Sequence, residues 1–156
     1  MSRHSIRAYQ LRQVDKDTLD KIMEAAINAP SAMNKQPWDV RVVRNADLLA
    51  KLKDAGANFF DAPTLIIVAC DSENHYAPFD AGLFSQTLML SAESFGLGTV
   101  ALGSVPNALN KPESEELLKE LAFAPNYTVV IGIALGYKNQ NPAAKPRDKS
   151  KVKYVE

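Results

Sequence analysis

The first residues of the chain place cations and a hydroxyl at close spacing. The stretch RHSIRAY, residues 3–9, contains two arginines, a histidine and a serine. A guanidinium donates paired hydrogen bonds in a fork that matches a phosphate group. Ile6 and Tyr9 alternate with these polar residues, so one face of the segment can pack on a core. The pattern indicates that the N-terminal segment binds an anion.

A second polar stretch, NAPSAMNKQPW at residues 28–38, joins a predicted helix to a predicted strand. Because asparagine, serine and proline are typical of turns, the stretch fits a solvated turn. It also fits a ligand-binding loop, since Trp38 begins a strand and can anchor the loop rigidly. Spacing alone leaves both interpretations open.

The C-terminal stretch KPRDKSKVK, residues 145–153, carries five basic residues and one acidic residue. Runs of like charge usually form solvated, frayed segments. The alternative is a phosphate clamp that this stretch completes together with Arg3 and Arg7. We keep both interpretations at this point.

The stretch GLGTVA, residues 96–101, matches the spacing of the dinucleotide-binding pattern G-x-G-x-x-G/A but not its structural context. That pattern must follow a strand and open a helix, because the helix N-terminus binds the pyrophosphate. Here it follows a predicted helix and leads into a predicted strand, so we reject it and expect a helix end at Gly96 or Gly98. Gly103, at the end of that strand, could still let a ligand approach the backbone.

The chain offers little for metal binding or nucleophilic catalysis. His4 and His75 are its two histidines, Cys70 is its single cysteine, and no H-E-x-x-H or G-x-S-x-G motif occurs. We therefore expect no metal site, and we expect Cys70 to be a buried, unreactive thiol at the end of an apolar strand.

Hydrophobic periodicity predicts the elements that position these residues. Helices are predicted at 15–29, with Asp15 as N-cap, at 45–55, at 79–95 and after Pro112. Strands are predicted at 38–43, 64–70, 99–103 and 127–137. The strand 64–70 is continuously apolar, so it should be buried on both faces, and 127–137 should be a long central strand. This mixture predicts an α/β or α+β fold with one sheet.

Length and charge narrow the class of protein. The 156 residues suit one domain spanning 1–156, and 18 basic residues balance 18 acidic ones. Zero formal charge argues against binding to nucleic acid or to a membrane surface. No stretch approaches the ~20 apolar residues of a membrane span, no apolar run follows the cationic start, and one cysteine cannot form an internal disulfide. We expect a cytoplasmic protein.

Several motifs together resemble the nitroreductase family of FMN-dependent oxidoreductases. RHSIRAY resembles the family's R-x-S-x-R-x-[FY] opening, and APSAMNKQPW resembles its A-P-S-x-x-N-x-Q-P-W loop. DAPTLIIVAC, the run from Asp80 to Gly103, and KPR at 145–147 resemble further segments in the family's order. The resemblance covers essentially the whole chain.

The resemblance implies a nitroreductase-like α+β fold, in which helices flank a mixed, mainly antiparallel central sheet. It implies a homodimer with FMN bound between the subunits. It also implies transfer of hydride from NAD(P)H to a nitroaromatic, quinone or related acceptor by a ping-pong mechanism. The cofactor supplies this chemistry, so no side chain is required as a catalytic acid or base.

The resemblance also assigns binding residues by motif position. The phosphate of FMN is expected to contact Arg3, Ser5 and Arg147, with Lys145 assisting. His4 is expected near the ribityl chain and Arg7 at the N1/O2 edge of the flavin. The remaining flavin contacts are expected from Asn58 and from the backbone of Leu102, Gly103 and Ser104. The partner subunit is expected to contribute Pro30, Ser31, Ala32 and Asn34.

The chain departs from the family pattern between Cys70 and Asp80, where only nine residues occur. Many family members have a longer segment there that covers the active site. Three alternatives to the oxidoreductase remain: an FMN-binding or regulatory module with little turnover, a flavin-consuming or dehalogenating relative, and a nucleic-acid-binding protein that uses the basic tail. The missing cover weakens the second alternative, and zero net charge weakens the third.

Overall fold

A computed structural model describes residues 3–156 of the chain. Its helices are α1 (Lys16–Ile27), α2 (Ala46–Asp54), α3 (Ala77–Ser94), α4 (Ser104–Leu109) and α5 (Glu115–Leu121). Its strands are β1 (Trp38–Val43), β2 (Thr64–Asp71), β3 (Leu97–Leu102) and β4 (Tyr127–Tyr137). Short 3-10 turns occur at Ala32–Asn34, Pro112–Ser114 and Lys149–Lys151.

The predicted helix starts are confirmed where a side chain caps the helix. Asp15 accepts a hydrogen bond from the Thr18 backbone nitrogen at 2.8 Å, and Asn45 accepts one from the Leu48 nitrogen at 2.9 Å. Each bond satisfies one of the amide groups that lack a partner within the first helical turn. Helices α1 and α2 therefore begin where the sequence predicts.

Several predicted boundaries shift, and the helix predicted at 15–29 ends at Ile27. Helix α3 begins two residues before the predicted start, with Pro78 in its first turn, where proline is tolerated. Strand β3 begins at Leu97 and ends at Leu102, so Gly103 lies outside it and precedes α4 instead. The positive φ of Gly96, 74°, confirms the predicted helix end at that residue.

The sheet has the strand order β1-β2-β4-β3, and each neighbouring pair is antiparallel. Parallel pairing occurs in an isolated bridge between Ser5 and Thr99. The predicted α+β class with a mainly antiparallel sheet is confirmed. Strand β4 is central, as predicted, since it lies between β2 and β3.

Helices cover both faces of the sheet, so the molecule has three layers. On one face α1 and α3 pack against Ile66, Val68 and Cys70 of β2. On the other face α2, α4 and α5 pack against Leu65, Ile67 and Ala69. Because alternate residues of β2 enter two different cores, the strand is apolar throughout, as the sequence predicts.

Along residues 3–156, no helix combines the length and the apolar character that crossing a lipid bilayer requires.

Candidate functional site

The N-terminal segment is fixed against the sheet beside β3 and β4. The Ile6 nitrogen donates a hydrogen bond to the Thr99 oxygen, and the Gln10 nitrogen donates one to the Tyr137 oxygen, each at 3.0 Å. Ile6 is buried above Gly98, where a Cβ would lie 2.8 Å from the Ile6 side chain. Gly98 therefore serves close packing, and the polar residues around Ile6 are held in defined positions.

Beside this segment lies a small basic cleft, which we define by its lining residues: His4, Ser5, Arg7, Pro142, Ala143, Lys145 and Arg147. Its volume is about 90 Å³. Three cationic side chains and a hydroxyl line it, and no carboxylate does. The structure thus brings the C-terminal KPR motif against the N-terminal motif, as the phosphate-clamp interpretation requires. Arg3 is half-buried and is not among the residues that line the cleft.

The basic cleft fits the charged end of a cofactor rather than a whole cofactor. Cofactor pockets usually enclose roughly 300–1,000 Å³, several times the volume of this cleft. Guanidinium and ammonium groups form short, charge-assisted bonds to phosphate oxygens. The donor set and the size together match a phosphate group.

A second group of predicted residues is connected to Arg7 through Phe60. The carbon at the centre of the Arg7 guanidinium lies 5.8 Å from the centroid of the Phe60 ring. Asn58 Oδ1 accepts a hydrogen bond from the Phe60 nitrogen at 3.2 Å, and the Asn58 carbonyl accepts one from Ser104 Oγ at 2.9 Å. These contacts connect Arg7, Asn58 and Ser104, which the family resemblance assigns to one flavin.

Leu102 is the last residue of β3, and Gly103 follows it, directly before Ser104 at the start of α4. Because the Leu102 side chain is buried, a ligand could contact this residue only through its backbone. A Cβ at Gly103 would meet no atom within 4 Å, and Gly103 is exposed. The space over Gly103 is therefore open to a flat ligand.

Loop 30–37 has an unusual backbone. Met33, Asn34 and Gln36 all have positive φ, between 46° and 53°. Residues other than glycine rarely adopt this backbone conformation. Ser31 Oγ accepts a hydrogen bond from the Gln36 nitrogen at 3.0 Å, which closes the loop on itself. The loop therefore has a defined, strained backbone, and strain of this kind is concentrated at functional sites.

The buried carboxylate of Asp80 holds this loop against α3. Asp80 is 2% exposed, and its Oδ2 accepts a hydrogen bond from the Ala32 nitrogen at 3.1 Å. At the end of the loop, the rings of Trp38 and Phe84 lie 5.4 Å apart, which confirms Trp38 as the anchor. Asp80 was missed as a site residue. Its signal was available, since Asp80 is one of two acids in a mostly apolar helix sequence.

The two halves of the predicted site do not meet within one chain. Loop 30–37 leads into β1, whereas residues 3–7 lie beside β3, and β1 and β3 are the two opposite edges of the sheet. Ser31 and Asn34 are thus separated from the basic cleft by the width of the sheet. The resemblance assigns these halves to different subunits, and this separation agrees with that assignment.

The short segment between β2 and α3 lies beside loop 30–37. Residues from both segments, including Met33, Lys35, His75 and Tyr76, line an open cleft of about 520 Å³. The loop therefore faces open space, with no helical segment above it in the described part of the chain.

Two buried groups have perturbed acidity. Burial raises the pKa of the Cys70 thiol, and burial also raises the pKa of Tyr9, whose hydroxyl donates to the Ile6 carbonyl at 2.6 Å. Both groups stay protonated at neutral pH. Cys70 is buried as predicted, and Tyr9 helps to hold the N-terminal segment in place.

Comparison with known proteins places these features in a family. The family model described as Nitroreductase family matches residues 1–58 and 53–137. A protein of Methanothermobacter thermautotrophicus, provisionally named NADH dehydrogenase/NAD(P)H nitroreductase, is 38% identical over 152 residues. That match covers 92% of this chain and 78% of the relative.

Solved structures agree with the sequence comparison. The nitroreductase of Desulfitobacterium hafniense, crystallised with bound FMN, superposes with a TM-score of 0.91 and 30% identity. The nitroreductase of Bacteroides fragilis, also with bound FMN, gives a TM-score of 0.90 and 26% identity. Each match covers 99% of this chain and 95% of the other.

Proposed function

Because this chain belongs to the nitroreductase family, we propose that it is an NAD(P)H-dependent oxidoreductase that uses non-covalently bound FMN. The observation that carries the proposal is the basic cleft, where two distant sequence motifs bring Arg7, Lys145 and Arg147 together without a carboxylate. The bound FMN of the Desulfitobacterium hafniense nitroreductase supports the same cofactor.

In this proposal, the two ends of the chain bind the phosphate. Arg147 and Lys145 from the tail and Ser5 from the N-terminal segment donate hydrogen bonds to its oxygens, and Arg3 adds positive charge nearby. His4 lies along the ribityl chain. These groups bind the cofactor through their charges and hydrogen bonds, and the flavin itself carries out the electron transfer.

The ring of the cofactor lies, in the proposal, between Arg7 and the end of β3. Arg7 stabilises negative charge on the N1/O2 edge, and the open space over Gly103 admits the flat ring. Asn58 and Ser104 border the same space. When bound, FMN supplies the redox chemistry by accepting a hydride equivalent from NAD(P)H and reducing an acceptor such as a nitroaromatic or a quinone.

The open cleft beside loop 30–37 supports a ping-pong order of substrates. With little cover, the nicotinamide and the acceptor can use the same exposed face in turn, and acceptors of different size can enter. Parallel lines in initial-rate plots against both substrates would support this order, and intersecting lines would contradict it.

We further propose that the site is completed by a homodimer. Helix α3 exposes Phe79 and Leu90, which are 67% and 46% exposed and lie 11 residues, or about three turns, apart on one side of the helix. Exposed apolar side chains aligned in this way favour a subunit interface. A second chain could bring its loop 30–37, with Pro30, Ser31, Ala32 and Asn34, to the basic cleft of the first.

The remaining parts of the proposal concern the molecule as a whole. Residues 1–156 form a single flavin-binding domain. The location is cytoplasmic, because the single cysteine, Cys70, leaves no internal disulfide that would indicate an oxidising compartment.

Cofactor identification and turnover test the proposal together. The protein, purified or reconstituted with FMN, should release FMN on heating, and should oxidise NADH or NADPH far faster than free FMN does. Protein that binds FMN but does not exceed the free cofactor is a binding module. Protein that cannot be reconstituted with FMN contradicts the proposal outright.

A further inference from the structure

Arg7 is held by an aromatic ring and not by a carboxylate. Its guanidinium lies 5.8 Å from the Phe60 ring centroid, within the ~6 Å over which a cation is attracted to a ring face. No residue among 3–156 forms an ion pair with Arg7. A carboxylate in the place of the ring would hold the arginine but cancel its charge. The ring restricts the guanidinium and leaves the charge available.

Arg41 shows the contrasting arrangement in the same protein. Its guanidinium lies 4.6 Å from the Phe123 ring centroid, but it also donates to Asp39 Oδ2 at 3.0 Å and to three backbone carbonyls. The charge of Arg41 is therefore compensated. Arg7 differs because it is exposed and its charge is left uncompensated.

The position of the Phe60 ring is itself fixed by its loop. Phe60 has a φ of 60°, a left-handed conformation that is unfavourable for a bulky side chain. The hydrogen bonds from the Phe60 nitrogen to Asn58 and from Ser104 to the Asn58 carbonyl hold this conformation. Through them the ring is attached to the start of α4, on the edge of the proposed flavin site.

We propose that Phe60 is a positioning residue that sets the redox potential of the bound flavin through Arg7. The inference rests on the proposed function. By holding an unpaired guanidinium at the N1/O2 edge, the ring makes the protein bind reduced, anionic FMN more strongly relative to oxidised FMN. Because Arg7 is exposed, loss of the ring frees its guanidinium to move away from the N1/O2 edge, where more water separates the two and weakens its field.

The test compares Phe60→Leu with Phe123→Leu. Both substitutions remove a half-buried phenyl ring that contacts an arginine, but only the first lies beside the proposed flavin site. Phe60→Leu should reduce the preference for reduced over oxidised FMN about two- to fivefold. Fivefold corresponds to a potential lower by about 20 mV, since tenfold is about 30 mV for a two-electron couple. Phe60→Tyr keeps an aromatic ring and should therefore retain the potential of the unsubstituted protein. Phe123→Leu should also leave the potential unchanged.

A second measurement needs no cofactor. In the protein without FMN, the NMR resonance of the Arg7 Nε–Hε group should shift when Phe60 becomes leucine, because the ring current is lost. It should not shift in Phe123→Leu. If Phe60→Leu does not fold, Phe60→Met provides both measurements.

The possible failures are distinguishable. Failure of the unsubstituted protein to bind FMN overturns the proposed function, while the NMR comparison still tests the contact. If the protein binds FMN and Phe60→Leu leaves its potential unchanged, the inference alone is overturned. An equal change of potential in Phe123→Leu also overturns it, because the effect would then be a general loss of packing.

Discussion

Arg147 is the residue at which the proposed phosphate contact can be separated from the fold. It is exposed in the described chain, and its guanidinium has a weak contact, at 3.4 Å, to the carbonyl of the neighbouring Pro146. It lines the basic cleft without supporting the core. Its substitution should therefore change cofactor binding and leave the folded protein intact.

We expect Arg147→Ala to weaken FMN binding by about 1.5–3 kcal/mol, the range for a hydrogen bond to a charged group. Arg147→Lys should lose less, because it keeps the charge and loses only the paired geometry. Fluorescence titration of the apoprotein with FMN measures both. Lys149→Ala is the matched control, since Lys149 is an exposed tail cation outside the cleft. An equal loss of FMN affinity in Lys149→Ala would show that the effect comes from the overall positive charge of the tail and not from a contact of Arg147.

Cys70 gives a pH-dependent prediction at the same scale. Burial raises its pKa in the folded state, so its stabilising contribution is present below the pKa of the unfolded thiol, about 8.5, and is lost as the pH rises. Above that pH the unfolded chain loses a proton that the folded chain retains. The free energy of unfolding should then fall by at most about 1.4 kcal/mol per pH unit from this group.

Urea unfolding of the protein and of Cys70→Ala between pH 7 and pH 10 measures this contribution. The variant should show a shallower loss of stability with rising pH, and the native thiol should resist alkylation at pH 8. Identical pH profiles of the protein and the variant would contradict a contribution of Cys70 to the pH dependence of stability. Rapid alkylation without denaturant would contradict the burial of this thiol.

At the scale of elements, loop 30–37 depends on one carboxylate from another element. The buried Asp80 side chain at the start of α3 accepts the amide hydrogen of the half-buried Ala32. Removing the acceptor leaves a partly buried donor without a partner, which costs about 1 kcal/mol, the lower end of the range for buried groups. In the proposed dimer this loop contacts the partner's flavin, so the loss should appear in cofactor affinity as well as in stability.

Asp80→Ala should therefore weaken FMN binding, while Asp80→Asn, which retains an acceptor oxygen, should weaken it much less. Isothermal titration of the two variants with FMN makes the comparison. Wild-type affinity in Asp80→Ala would show that the loop keeps its shape without this bond, or that it does not reach the cofactor.

Local signals in the sequence predict most of the elements but not α4. Asp15 and Asn45 reveal helix starts because the cap and its helix are neighbours in sequence. Helix α4 has six residues and contains Pro106 and Asn107, which disfavour a helix. It forms because Val105 packs onto β4 at Gly132, where a Cβ would lie 2.3 Å from the valine side chain. That contact joins distant residues and leaves no local pattern.

The same distinction applies to the site. Cations at fixed spacing predict the basic cleft, because the residue types carry the chemistry. The contact of Arg7 with Phe60 depends on the left-handed backbone conformation of Phe60, which a phenylalanine in the sequence does not predict. Likewise, the separation of loop 30–37 from residues 3–7 follows from the strand order and becomes visible only in the folded sheet.

At the scale of the whole molecule, the proposed dimer predicts that cofactor and assembly stabilise each other. If FMN binds only the dimer, added FMN should raise the melting temperature, and dilution of the apoprotein should lower it. Sedimentation measures the assembly in the same samples. A stable monomer with full FMN occupancy would contradict the assignment of Ser31 and Asn34 to a partner's site.

Mixed dimers test the shared site more specifically. Arg147→Glu damages the basic cleft, and Asn34→Asp damages the loop, so each homodimer should bind FMN poorly. After subunit exchange, two-fold symmetry gives every mixed dimer one intact site and one doubly damaged site. FMN binding should therefore reappear on mixing. If each homodimer binds FMN poorly, no recovery despite confirmed exchange would place both residues at the same chain's site.

The most direct test of the central claim is an anaerobic titration of the purified protein, reconstituted with FMN, followed by its absorption spectrum. The account predicts a flavin spectrum whose main visible band is bleached by NADH or NADPH and recovers when a quinone or nitroaromatic is added. A protein that cannot be reconstituted with FMN, or a bound flavin that neither nicotinamide bleaches, would contradict the account.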